Sequence, residues 1–544
     1  MNAGLDGATG VDLPPVPTQR PFVAPRAASW ALVCLVAALA IAVVACTPAP
    51  AQNGSTDARI GSSDVFTWDP AHQSDAGTAS VLAQVYEGLT AFDSQSNVQP
   101  ALARAWQVDE SGQRITFQLR PDIKYSDGSP INAQDVVDSW LRLIDPVHPT
   151  TLSSLLGDVQ GAADYQAGNI GKDAVGLHAD GDKVIVDLRR PATYFLAVTA
   201  SPSLAVIPPS MVGKVDSAPP TIVSGAYTPT TPSAGLIHLS ANPNYWAGAA
   251  PLAEIDLVTD NGGTSAAQLF DEGQLDYTGI GSGDASWIAY DANLGPQLRK
   301  TNSFGLSYYG FNTTVAPFDN AQVRLAFAEA VNWDRIVSLS GATPATSMIP
   351  PGVPGRDEAD HRPKYDPTDA KAQLAAAGYT NGANFPTITL ATYGVGYEQT
   401  VAKELADNLG VKVNVEALDF QNYLETVGAA NEPTMWALSW IADYPHAHDF
   451  LGLLLETGST SNTGKWSNAD YDKLISQAAA TADPAQQAAF YGQAQDILAR
   501  EAPVIPVAYN ESWALSRTGL LGALESGVGL IRYAGLSWAP GTGR

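Results

Sequence analysis

The segment Tyr86–Pro146 reads YEGLTAFDSQSNVQPALARAWQVDESGQRITFQLRPDIKYSDGSPINAQDVVDSWLRLIDP. Within it Ile115, Phe117 and Leu119 alternate with Thr116, Gln118 and Arg120, the period-two pattern of a strand with one buried face. Ser126-Asp127-Gly128 comes next as a turn, with a glycine free to take positive φ. Asn132 and Asp135 then have the spacing of a capping box. Behind them Val136, Val137, Trp140, Leu141 and Ile144 fall on one face of a helix.

The same alternation of element types continues outward. Val184, Val186 and Leu188 predict a strand, and Asp319 is placed to cap a helix carrying Val323, Phe327, Ala330 and Val331. Val401, Leu405 and Leu409 line a further helix that Gly410 can stop, with Val411, Val413 and Val415 coming after it as a strand. Asp483-Pro484 opens another helix with proline at its first position. Strands and helices in this order argue an α/β fold. At 544 residues the chain exceeds one compact core, so more than one domain is expected.

Charged residues make up 15% and hydrophobic residues 45%, a globular composition. The formal net charge of −26 argues against nucleic acid as a partner, because phosphates would be repelled. Arg20 and Arg26 precede an apolar run, Trp30 to Ala45, that is too short for a membrane span of ~20 residues but suits an export signal. The run ends Val43-Val44-Ala45-Cys46, which resembles a bacterial lipobox and implies cleavage before Cys46 with lipid on its thiol. An uncleaved signal anchor is the alternative. Residues 1–45 are thus read as signal peptide and 46–57 as lipidated cysteine plus a polar, Pro-containing tether. The only other cysteine, Cys34, lies within the signal, so no disulfide is expected in the mature protein.

Eight segments in order carry a family resemblance: Tyr86–Pro146, SGAYTPT (224–230), NPNYW (242–246), LFDEGQLDYT (269–278), YYGFNTTVAPFDNAQVRLAFAEAVN (308–332), YDPTDAKAQLAAAGY (365–379), WIADYPHAHDFL (440–451) with KWSNADYDKLI (465–475), and APVIPVAYN (502–510). The chain resembles the peptide-binding proteins of ABC importers, the oligopeptide- and dipeptide-binding class. The resemblance implies a two-lobed clamp of the type II periplasmic-binding-protein kind. Lobe I would comprise 58–304 and 508–544, with an extra subdomain at about 87–188, and lobe II would comprise 305–507. Two crossings, near 303–306 and 505–509, would form the hinge. It further implies a monomer without cofactor. That monomer would be held outside the cytoplasm by its lipid anchor, and it would deliver ligand to permease subunits driven by ATPases. Relatives in the class bind nickel complexes, haem, opines, sugars or signalling peptides, so a non-peptide ligand is the alternative.

In this class an aspartate in a Trp-x-x-Asp segment takes the peptide's α-ammonium, and Trp440-Ile441-Ala442-Asp443 matches it. Asp443 is therefore the expected anchor, since a buried ammonium needs a carboxylate partner. The strand TMWALSWI, including Ser439 and Ile441, is expected to add backbone hydrogen bonds to an extended ligand. Trp440 and Trp436 are candidate walls, Tyr309, Tyr308 and Tyr509 candidate contacts near the crossings, and Asp75 and Gly77 candidates from the HQSDAGT loop. His446 and His448 are read as structural or solvent-exposed side chains; on a strand they would share a face and, with Asp449, they are only weak metal candidates, because no third or fourth ligand is visible. Arg324 and Arg335 are read as solvent-facing. Gly88 and Gly225 are read as serving backbone geometry, and the 242–246 turn as closing a core edge.

No Gly-x-Ser-x-Gly elbow, His-Glu-x-x-His motif or phosphate loop is present. A secreted hydrolase is a remote alternative to a non-catalytic binder.

Overall fold

The computed structural model describes residues 56–543, apart from 74, 149, 151, 216–217, 395, 420–421, 424–425 and 428–433. The expected signal, Cys46 and most of the tether lie outside the described residues. Among the described residues no helix is long and apolar enough to cross a membrane.

An eleven-stranded mixed sheet forms the frame. Its path runs Val413–Ala417, Ile388–Thr392, Thr434–Ile441, Leu298–Phe311, Val504–Ser516, Tyr277–Ile280, Asp57–Gly61, Glu254–Val258, Leu236–Ala241 and Tyr227–Pro229. Thr343–Pro344 adds to the edge of Val504–Ser516. The two long central strands, Leu298–Phe311 and Val504–Ser516, are antiparallel, and their ladder breaks register between Asn302 and Leu306 and again between Ser307 and Tyr308. Such breaks bend and twist a strand pair, and they fall at the segment expected to cross between lobes.

Different sets of side chains pack on either side of those breaks. One core joins Ala58, Ile60, Tyr86, Leu239, Ile255 and Leu257 to Ala514, Tyr533 and Trp538 from the C-terminal return. Another joins Tyr309, Phe311, Phe327, Leu390, Val401, Leu405 and Ile505. A second, antiparallel sheet has the order Ala103–Val108, Arg114–Leu119, Lys183–Asp187, Leu177–Asp180. Helix Ala133–Leu141 contributes Val136, Val137 and Trp140 to the core that covers it.

Local signals explain most ends. The Asn132/Asp135 capping box makes both of its reciprocal bonds. Helix Glu398–Leu409 stops at Gly410, whose φ of 72° lies in the left-handed region. Asp483 caps helix Pro484–Glu501 through a bond from the Gln486 N–H. A Cβ on Gly225 would sit 2.5 Å from the Gln84 carbonyl oxygen, so that position needs glycine for close backbone approach.

Two expectations are corrected. Asn320, not Asp319, caps helix Ala321–Glu329; the chain enters the helix one residue later, and the Asn320 amide oxygen accepts from the Gln322 N–H at 2.9 Å. Arg324 is buried rather than solvent-facing, because its guanidinium satisfies the carbonyls of Phe318 and Glu501. Arg335 behaves as expected, pairing with Glu404 at the surface.

Candidate functional site

Strand Thr434–Ile441 changes character along its length. Thr434 to Trp436 are flanked on both edges, by Ile388–Thr392 and by Leu298–Phe311. Beyond Trp436 the first neighbour ends, and Leu438 to Ile441 become progressively accessible. The edge so exposed has no partner strand among the described residues, although the Ser439 N–H is taken by the Tyr393 hydroxyl at 3.2 Å.

A carboxylate organises the loop at the end of this strand. Ala442 is held to the sheet by its N–H bond to the Phe304 carbonyl, 2.8 Å. The chain turns through Asp443, Tyr444 and Pro445 into helix Ala447–Leu455. Asp449, in that helix's first turn, is fully buried. It accepts from the Trp440 indole at 2.8 Å, and the backbone N–H groups of Asp443 and Tyr444 are turned towards it. The loop is therefore wrapped around Asp449, while Asp443 itself lines a cavity of about 750 Å³.

Segments far apart in sequence line this cavity: Gln73, Asp75, Ala76 and Ala79, Thr150 and Leu152, Ser201 and Pro202, Tyr393, Leu438 to Asp443, Thr460, Ser461 and Thr463, and Val528 with Leu530. The walls are mostly apolar, with neutral hydroxyls and amides between them. Two aspartates, Asp75 and Asp443, are the only charged residues among the described lining, and no Lys, Arg or His joins them.

Part of Asp443 is reachable from the cavity, but its Oδ2 atom is enclosed and has no hydrogen-bond partner among the described residues. Burial pushes its carboxyl up to about 7, because the charged form loses water. Burial also pushes Asp449 well above its usual range, the charge of Asp443 adds to this, and the indole and backbone donors oppose it. Two acids without a counter-cation form a site that favours a proton or an arriving cation.

Of the expected site residues, Ser439, Trp440, Ile441, Asp443 and Asp75 line the cavity. The others do not. Tyr309 is buried against Trp333, with ring centroids 5.1 Å apart, in the core beneath the sheet. Trp436 lies over Gly310 and edge-on to the buried Tyr308. Trp436 shares strand parity with Leu438 and Trp440 but lies in the buried first half of the strand, where the neighbouring strand still covers it. Tyr509 is a structural clamp: its buried hydroxyl accepts from the Thr346 and Ser347 N–H groups at 3.1 Å and from Arg356 at 2.7 Å. Gly77 approaches Ser63 instead, where a Cβ would lie 2.5 Å from the serine Oγ.

His446 and His448 stand at the start of a helix, not on a strand. His446 is the N-cap, accepting from the His448 N–H, and its other nitrogen meets Gln487 at 3.2 Å. His448 bonds the Tyr444 hydroxyl at 2.8 Å and stacks on Tyr194 with centroids 3.6 Å apart. Burial holds His446 down at about 4 and His448 well below its usual value, so both are neutral core side chains. No group of three metal-ligating side chains occurs among the described residues.

Sequence reasoning gave Asp449 only as a weak metal partner. Its backbone donors, the N–H groups of Asp443 and Tyr444, come from the loop before its helix, so its position along the sequence carried no local signal for them. Gln73, Leu152, Tyr393 and Val528 carried no local signal.

The pattern of one family matches residues 97–462: bacterial extracellular solute-binding proteins, family 5. The chain belongs to this family. A probable deoxycholate-binding periplasmic protein of Escherichia coli is 29% identical over 468 residues, covering 82% of this chain and 86% of that relative. A dipeptide-binding protein of Bacillus subtilis is 28% identical over 511 residues, with 89% of each chain covered. In three dimensions this family 5 solute-binding protein is similar to the murein tripeptide binding protein of Escherichia coli, with a TM-score of 0.79, 24% identity, and coverage of 90% of this chain and 99% of that one. The fold is thus the two-lobed α/β clamp of type II periplasmic binding proteins, and the protein is an extracytoplasmic solute-binding component rather than a transporter channel.

Proposed function

We propose that this protein captures peptides in the cavity beside strand Thr434–Ile441 and hands them to the permease of an ABC importer. Asp443 takes the peptide's α-ammonium, and the strand edge at the Ser439 carbonyl and at Ile441, which no strand pairs among the described residues, bonds the peptide backbone. The observation that supports this reading is the enclosed, unpartnered Oδ2 of Asp443 in a largely apolar cavity. Such an oxygen is costly unless a cation or proton meets it. Backbone bonding ignores side-chain identity and suits a broad range of sequences.

The register breaks near Leu306, in the ladder with Tyr509, serve as the hinge between a lobe of 58–304 with 508–544 and a lobe of 305–507. Cys46 carries lipid and tethers the monomer to the membrane, while permease and ATPase subunits supply the path and the energy. The chain itself catalyses nothing. Calorimetry with tetra-alanine and its N-acetylated form tests the anchor. Tetra-alanine binds and the acetylated peptide binds at least ~100-fold more weakly, as loss of a charge-assisted bond requires. Equal affinities overturn the assignment.

A non-peptide ligand is the second reading, favoured by the apolar walls at Leu152, Leu438, Trp440 and Val528. An anionic steroid fits poorly, because its carboxylate would share the cavity with Asp75 and Asp443 and find no cation among the described lining residues.

A further inference from the structure

Asp75 enters the cavity from the opposite part of the chain to Asp443. It is the N-cap of helix Ala76–Val85, and its Oδ1 accepts the Thr78 N–H at 2.8 Å. That single bond is all an N-cap needs. Its second oxygen, Oδ2, is enclosed and has no partner among the described residues, like Oδ2 of Asp443. Gln73 lies nearby but is committed elsewhere, donating to Ser203 at 2.8 Å.

A ligand with one ammonium group satisfies Asp443 and leaves the enclosed Oδ2 of Asp75 without a partner among the described residues. A ligand with a carboxylate inside the cavity is worse, since it adds a third negative group to two unneutralised ones. Resting on the peptide-binding reading above, we propose that Asp75 is a second cation subsite. The preferred ligand is then a peptide that carries a basic side chain close to its free amino terminus, with its own carboxylate outside this cavity or masked.

The test is calorimetry with amidated tetrapeptides that differ at one side chain. Ala-Lys-Ala-Ala-amide and Lys-Ala-Ala-Ala-amide are each compared with the peptide bearing norleucine in place of lysine. The wild type favours at least one lysine peptide over its norleucine partner by about tenfold or more, the size expected of a charge-assisted bond in a desolvated site. In Asp75→Asn that preference falls to about twofold, while the norleucine peptides keep their affinity. Asparagine caps a helix as well as aspartate does, so the fold is retained. Equal binding of lysine and norleucine peptides by the wild type overturns the proposal. So does an equal loss of both in Asp75→Asn, which would mark a structural role. Failure of every one of these peptides to bind the wild type instead removes the peptide reading on which the proposal rests.

Discussion

The Trp440 indole N–H donates to Asp449 Oδ2 at 2.8 Å, beneath the loop that carries Asp443. A side chain from the strand edge thereby fixes the acid around which the loop folds. Trp440 thus has two roles, since its ring also lines the cavity. Trp440→Phe keeps a ring and removes the donor. Tetra-alanine affinity is expected to fall about tenfold, as for loss of one bond to a charged group. Near-UV circular dichroism should show the fold intact, and unchanged affinity would count against the positioning role.

Asp443→Asn retains shape and removes the charge. Binding of free-amine peptides should weaken at least ~100-fold, and the discrimination against N-acetylated peptides should vanish. Titration calorimetry reads both. An Asn variant that still discriminates would move the anchor to another residue.

The raised Asp443 carboxyl gives binding a pH dependence with a definite sign. Below about pH 7 this group holds a proton and cannot pair with an ammonium, so affinity falls as pH drops, approaching tenfold per unit. Binding at neutral pH should release protons, measurable as a heat that changes with the buffer's ionisation enthalpy. Proton uptake on binding would contradict this.

The same group affects stability without ligand. Its folded value, about 7, lies above the ordinary 3.8, so the folded state holds the proton more tightly than the unfolded chain. Stability from this source is present below about pH 4 and is lost as pH rises through 7. Asp443→Asn removes that loss. At pH 8 the variant should be more stable than the wild type by on the order of 4 kcal/mol in urea unfolding, with the gap closing near pH 4. A variant less stable at pH 8 would argue that the carboxylate is already compensated.

Arg190 donates twice to Glu456, at 2.7 and 2.9 Å, and also pairs with Asp158 at 2.7 Å. Tyr194 stacks on His448 just beyond, and the Thr193 N–H reaches the Ala479 carbonyl at 3.0 Å. These contacts tie residues 189–194 to helices Ala447–Leu455 and Ala469–Ala479. Glu456→Gln should speed peptide release about fivefold or more with little change in association, since short-range contacts act mainly on dissociation. Stopped-flow displacement checks this, and an unaltered release rate would mean the tie is not part of ligand retention.

Covalent order alone carried the strand at 115–119, the capping box at Asn132, the stop at Gly410 and the family motifs, because periodicity and capping depend on residues close in sequence. It also singled out Asp443 by motif. It misplaced Tyr309, Trp436 and Tyr509 relative to the cavity and gave Asp449 the wrong partners. Those outcomes depend on packing in three dimensions, which seats Tyr509 against Ser347 and Trp436 against Gly310 and folds the loop after Ile441 around Asp449. The meeting of Asp75 with Asp443 across one cavity, and the burial that raises the Asp443 carboxyl, were decided by tertiary packing, since desolvation is set by everything that surrounds a group and not by its neighbours along the chain.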